Sequence, residues 1–211
     1  MPRPVFISLD GLDGTGKSTQ CRLLADWLRS RGREVTQCAD PGSTPIGQEI
    51  RELLLHRRHE MVPACEAFLF MASRAQLTAK VIQPALAAGR DVVTDRYLLS
   101  NVVYQGHAGG LPADRLWEIG RLATDGLEPD LSLVLDLPVE AALRRRVGMA
   151  DRVESRDADY HARVRSGFLL EARRQPDRIC VIDAGKSIEE VHEQIRRQVE
   201  RIIQTNGPAG Q

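Results

Sequence analysis

Val5-Phe6-Ile7-Ser8-Leu9-Asp10-Gly11-Leu12-Asp13-Gly14-Thr15-Gly16-Lys17-Ser18-Thr19 is the stretch that decides the fold. Its apolar opening predicts a buried strand from Val5 to Asp10, and helical periodicity begins at Lys17. Between them, Gly11 to Ser18 matches G-x-x-x-x-G-K-[ST] in the strand-to-helix setting that this pattern requires. Glycine lets the backbone curl until successive N–H groups face one anion, and the helix N-terminus adds partial positive charge. The segment Gly11, Leu12, Asp13, Gly14, Thr15, Gly16, Lys17, Ser18 therefore reads as a triphosphate cradle. Lys17 reaches the β- and γ-phosphates, Ser18 ligates Mg²⁺, and Thr19 supplies a further phosphate contact.

Outward from the cradle, four more apolar runs alternate with stretches of helical period. They are Glu34 to Ala39, Asp91 to Asp95, Leu131 to Asp136 and Ile179 to Asp183. This alternation predicts an α/β fold, a five-stranded parallel sheet with helices on both faces. The helices are expected at Lys17 to Arg31, Pro45 to His56, Pro63 to Ala88 with a bend at Pro84, Leu98 to Gln105, Pro112 to Thr124, Pro138 to Arg146 and Asp157 to Gln175. A last helix opens with a capping box at Ser187 and Glu190. One domain is expected over residues 1–204, with a lid at about 147–157 and a frayed tail at 205–211.

The 211 residues suffice for one core without disulfides. Hydrophobic residues form 42% and charged residues 27%, with 29 bases against 29 acids, which excludes a disordered chain and a generally basic nucleic-acid surface. No apolar run approaches a membrane span, and no signal-peptide pattern is present, so a cytoplasmic protein is expected. Cys21, Cys38, Cys65 and Cys180 lack metal-ligand spacing and read as incidental thiols. Only Lys17, Lys80 and Lys186 are lysines, whereas Arg144, Arg145, Arg146, Arg152 and Arg156 crowd one stretch. By composition alone that stretch reads as a solvated helix face.

No lysine follows an asparagine, so the guanine-reading Asn-Lys-x-Asp of a GTPase is absent. Asp95 and Asp136 precede Arg96 and Leu137, not the second acid expected of a motor ATPase. Phosphoryl transfer to a small acceptor remains, and it needs cations where two anions meet. Arg96, after the third strand, stands at such a place if the strand order is the usual one. Taken alone, Asp95 reads equally as a helix cap and Arg96 as a surface ion pair. Phe68, beside Leu69 and Ala72, reads as core.

The runs Asp10 to Thr19, Asp40-Pro41-Gly42-Ser43-Thr44, Asp95-Arg96-Tyr97 through Gly106, Asp151-Arg152-Val153-Glu154 and Tyr160 to Arg165 together resemble thymidylate kinases. The resemblance implies a nucleoside monophosphate kinase-like P-loop fold. It also implies transfer of the ATP γ-phosphate to dTMP with Mg²⁺, and a homodimer; on the charge balance and the absence of an apolar span, neither nucleic acid nor membrane is an expected partner. It places Arg96 on the acceptor phosphate, Phe68 under the thymine, Arg74 on a base carbonyl, Asn101 and Gln105 near the base, and Tyr104 under the sugar. Asp13 becomes an acid near Mg²⁺ or the acceptor phosphate, and Asp95 and Glu154 become acids near Mg²⁺. Family members carry a catalytic arginine either in the cradle or in the lid. Gly14 stands at the cradle position, so the resemblance turns Arg144, Arg146, Arg152 and Arg156 into donor-side candidates, with Arg152 as the expected arginine finger. One departure is Ala39, where an arginine is usual, and Arg51 is the candidate replacement for that cation. Acceptors such as dUMP, another monophosphate or a nucleoside stay open on these residues, as does a non-catalytic nucleotide-binding role.

Overall fold

The computed structural model describes residues 3–56, 60–145, 152 and 156–205. Five parallel strands, β1 (Phe6–Gly11), β2 (Val35–Ala39), β3 (Asp91–Asp95), β4 (Leu131–Asp136) and β5 (Ile179–Asp183), lie in the order β2-β3-β1-β4-β5. The three central strands are buried nearly end to end, as their continuous apolar composition requires. The connections leave β1 and β3 toward opposite edges of the sheet, which places the switch point at the carboxyl ends of this parallel pair. Leu9 pairs with Asp95 in that ladder, so the exits of β1 and β3 lie side by side.

The helices follow the expected positions with local changes. α1 (Lys17–Ser30) and α9 (Ile188–Thr205) pack on each other and on the sheet. The capping box at the start of α9 is formed, with Ser187 N–H donating to Glu190 and Glu190 N–H to Ser187 Oγ. α2 (Pro45–Arg51), capped by the Thr44 hydroxyl, runs on into a π-helical turn at Glu52–His56. α3 (Pro63–Leu77) widens into a π turn at Thr78–Ile82 before α4 (Gln83–Ala87). Where a bend was expected at Pro84, the structure has this π turn just before it, and the missing N–H of Pro84 leaves the ladder without its regular donor. α5 (Leu98–Asn101) continues through a π turn at Val102–His107, longer than the segment expected from sequence. α6 (Ala113–Ala123), α7 (Val139–Arg145) and α8 (Ala158–Arg174) complete the layer, and Asp157 caps α8 on Tyr160 N–H. The expected lid segment, apart from Arg152, Arg156 and Asp157, and the tail beyond Thr205 lie outside the described residues.

Candidate active site

The loop from β1 to α1 closes with Gly11, Gly14 and Gly16 at positive φ. Gly14 has no room for a side chain: a Cβ there would stand 2.2 Å from the Ala142 carbonyl oxygen of α7. Lys17 is buried and donates to the Leu12 carbonyl at 2.8 Å, with Asp13 at 3.5 Å. Burial first, and then the neighbouring Arg96 guanidinium, hold the Lys17 ammonium below its usual pKa. Ser18 Oγ donates to Asp95 Oδ2 at 2.6 Å, which brings a hydroxyl and a carboxylate from α1 and β3 to one point beside the cradle. Such hard oxygen donors suit Mg²⁺, which keeps most of its shell for water and phosphate. Glu154, the other candidate acid, lies outside the described residues.

Arg96 adopts a left-handed backbone, φ 69°, uncommon for a residue with a side chain. The strain aims its guanidinium across the switch point. There it donates to the Gly11 carbonyl (2.9 Å), Ser100 Oγ (3.1 Å), Asp13 (2.6 Å) and the Tyr104 hydroxyl (3.2 Å). Burial pushes the Tyr104 phenol far up, so it stays a neutral donor. Asp10, wholly buried behind the cradle, accepts from Ser8 and Ser100 and fixes the hydroxyl that Arg96 uses.

A cavity of about 520 Å³ joins these groups to a second set. Cradle residues Asp13, Gly14, Gly16, Lys17, Ser18 and Thr19 line one end with Asp95 and Arg96. Arg51, Arg74, Asn101, Tyr104 and Gln105 line the other. Arg74 is 2% exposed and paired with Asp40 at 2.6 Å. Arg51 donates to the Pro41 carbonyl and shares the wall with Ala39, where the expected cation is lacking.

The expectations for Phe68 and for the lid-side arginines need correction. Phe68 is 55% exposed and belongs neither to the core nor to the cavity, whose aromatic wall on α3 is Phe70. Residues two apart on a helix face nearly opposite ways, whereas Phe70 and Arg74, four apart, share a face. That spacing was the available signal for choosing Phe70. Arg152 does not line the cavity in this structure: it donates to the Leu54 carbonyl and, with Arg156, to the buried Glu66. Arg144 is exposed and also off the cavity, and Arg146 lies outside the described residues. Sequence reasoning assigned no role to Arg145, which does line the cavity and donates to the Ala184 carbonyl beyond β5. It also passed over Asp40, the partner of Arg74.

The thymidylate kinase family model matches residues 9–195, nearly the whole of this architecture. The chain belongs to the thymidylate kinase family. Thymidylate kinase of Rhodopirellula baltica is 50% identical over 190 residues, 90% of this chain and 78% of that one. The Symbiobacterium thermophilum thymidylate kinase is 46% identical over 94% of each chain. Among solved structures, the thymidylate kinase of Ehrlichia chaffeensis superposes with a TM-score of 0.79 at 28% identity, covering 94% of this chain and 99% of the other. The chain is accordingly an enzyme with the P-loop kinase fold of thymidylate kinases.

Proposed function

We propose that this thymidylate kinase family member transfers the γ-phosphate of ATP to dTMP, giving dTDP for dTTP synthesis. The observation that carries the reading is one continuous cavity lined both by the triphosphate cradle and by Phe70, Arg74, Asn101, Tyr104 and Gln105. Arg96 stands between them. Lys17 and the cradle N–H groups hold the donor phosphates, and Ser18 with Asp95 would hold Mg²⁺, which when bound would screen phosphate charge. Arg96, oriented in advance by Gly11, Ser100 and Tyr104, takes the acceptor phosphate without rearranging its support. Asp13, now on Arg96 and near Lys17, is the acid poised between the two phosphate sites. At the base end Phe70 supplies the flat apolar wall and Arg74 the cationic donor, with Asn101 and Gln105 beside it. Tyr104 lies against Arg96, 5.0 Å from guanidinium carbon to ring centroid, where a sugar would pass. Arg51 replaces the cation missing at Ala39.

A homodimer suits the outer faces of α3 and α6, which pack on each other and leave Phe68 and Leu122 in the open at 55% and 83% exposure. No described helix is long and apolar enough to cross a membrane. The cysteines are free thiols, as a reducing cytoplasm maintains them. The test is ADP release with ATP and Mg²⁺ fixed and the acceptor varied. Turnover is expected to be fastest with dTMP; faster turnover with dCMP, AMP or thymidine refutes the assignment.

A further inference from the structure

Behind the base end of the cavity runs a chain of hydrogen bonds that all point one way. Arg74 donates to Asn101 Oδ1 (2.9 Å), Asn101 Nδ2 to Gln105 Oε1 (2.8 Å), and Gln105 Nε2 to Glu66 Oε1 (2.8 Å). A guanidinium can only donate and a carboxylate can only accept. The two charged ends therefore fix the orientation of both amides between them, which an amide on its own does not fix. Glu66 accepts on its second oxygen as well, from Arg156 (2.8 Å) and Arg152, and its side chain is 2% exposed. It does not line the cavity, whereas Arg74, Asn101 and Gln105 do.

We propose that Glu66 is a specificity-determining positioning residue: from outside the cavity, its charge sets which face of Asn101 and Gln105 is donor and which is acceptor toward the acceptor base. The inference rests on the proposed function, since it takes the cavity to hold a pyrimidine monophosphate. Thymine and cytosine are the bases to compare, because their edges exchange a donor for an acceptor at both N3 and the 4-position. Reversing either amide exchanges the same properties in the pocket.

Glu66→Gln keeps the size and removes the acceptor-only end. Arg152 and Arg156 draw the oxygen of the new amide, so its NH₂ faces Gln105, while Arg74 still holds Asn101 Oδ1; donors then enter the chain from both ends, and Gln105 cannot satisfy both neighbours in either orientation. Steady-state kinetics with dTMP and dCMP, read as the ratio of their kcat/KM values, is the test. Glu66→Gln is expected to raise the KM for dTMP and lower the dTMP-to-dCMP ratio about ten-fold or more, the size of one misdirected hydrogen bond. A merely structural role predicts lower activity with both acceptors and an unchanged ratio. That result, or a change confined to kcat, overturns the proposal. Should Glu66→Gln not fold, Glu66→Asp, which still only accepts, is decisive: a ratio near wild type supports the proposal and a collapsed ratio overturns it. Wild-type protein that transfers nothing to dTMP refutes the proposed function and this inference together. Active wild type with an unmoved ratio in Glu66→Gln refutes this inference alone.

Discussion

Lys17 shows at the scale of one residue how the site trades stability for chemistry. Its ammonium is buried, 6% exposed, before any phosphate arrives, and burial together with Arg96 lowers its pKa more than Asp13, Asp95 and Asp10 restore it. Lys17→Met keeps an apolar stem of similar shape and removes the desolvated charge. It leaves no orphaned acceptor at Leu12, because Thr15 Oγ1 also donates to that carbonyl at 2.8 Å, and Asp13 keeps Arg96 at 2.6 Å. The variant is expected to lose turnover yet be more stable without ligand by about 1 kcal/mol, a rise of roughly 2–4 °C in melting temperature. The pH dependence has a definite sign. The folded-state pKa lies below the 10.5 of an ordinary lysine, so the native state binds this proton more weakly than the unfolded chain. The cost is full below the folded value and falls away as pH rises from there toward 10.5. The gap between variant and wild type should therefore narrow in alkaline buffer, and thermal melts at several pH values check it; a gap that widens contradicts the burial argument.

Elements decide where the lid-side cations go. α7 presses its Ala142 carbonyl onto the cradle at Gly14, so an arginine could not occupy that position without pushing the helix away. The charge must come from beyond the cradle, and α7 itself brings Arg145 to the cavity wall, while Arg152 and Arg156 are held by Glu66 of α3. Arg145→Ala is expected to lower kcat about 10³-fold, the scale of a cis arginine finger, and Arg152→Ala to raise the KM for dTMP instead. Single-turnover and steady-state kinetics on both variants separate the roles; the reverse pattern returns the finger to Arg152. The same scale explains what the sequence made legible. Strands could be read almost to the residue, because apolar runs that end in Asp or Gly leave little choice of boundary. The placement of the cradle beside Arg96 could be read because both follow directly on strands that the sheet sets side by side. The π turns at Glu52–His56, Thr78–Ile82 and Val102–His107 were illegible, since an extra residue per turn leaves no periodic mark in so short a segment. Arg145 and Asp40 were missed for a related reason: their roles depend on which loops the folded sheet brings together, and residue type alone does not say.

Across the whole molecule, the π turn at Val102–His107 is gripped by two buried carboxylates whose tasks differ. Glu66 on α3 meets Gln105 on the cavity side. Glu171 on α8, fully buried, holds His107 Nε2 at 2.8 Å and also accepts from Trp117 Nε1 of α6 (3.1 Å) and from Arg174 (3.1 Å). Glu171 thus ties α6, α8 and the turn into one body behind the site and does not reach the cavity. Removing a carboxylate from such a buried network strands its donors, at a cost of about 3–5 kcal/mol. Glu171→Ala is expected to lower the melting temperature by about 10 °C, yet to leave the dTMP-to-dCMP ratio unchanged at temperatures where the protein is folded. Glu66→Gln is expected to move that ratio with a smaller loss of stability, because its amide can still bond to Gln105. Melting curves and the two-acceptor assay on both variants check this division of labour. Equal losses of specificity would mean that the turn moves as a whole whenever either grip is loosened, and that amide orientation is not separately controlled.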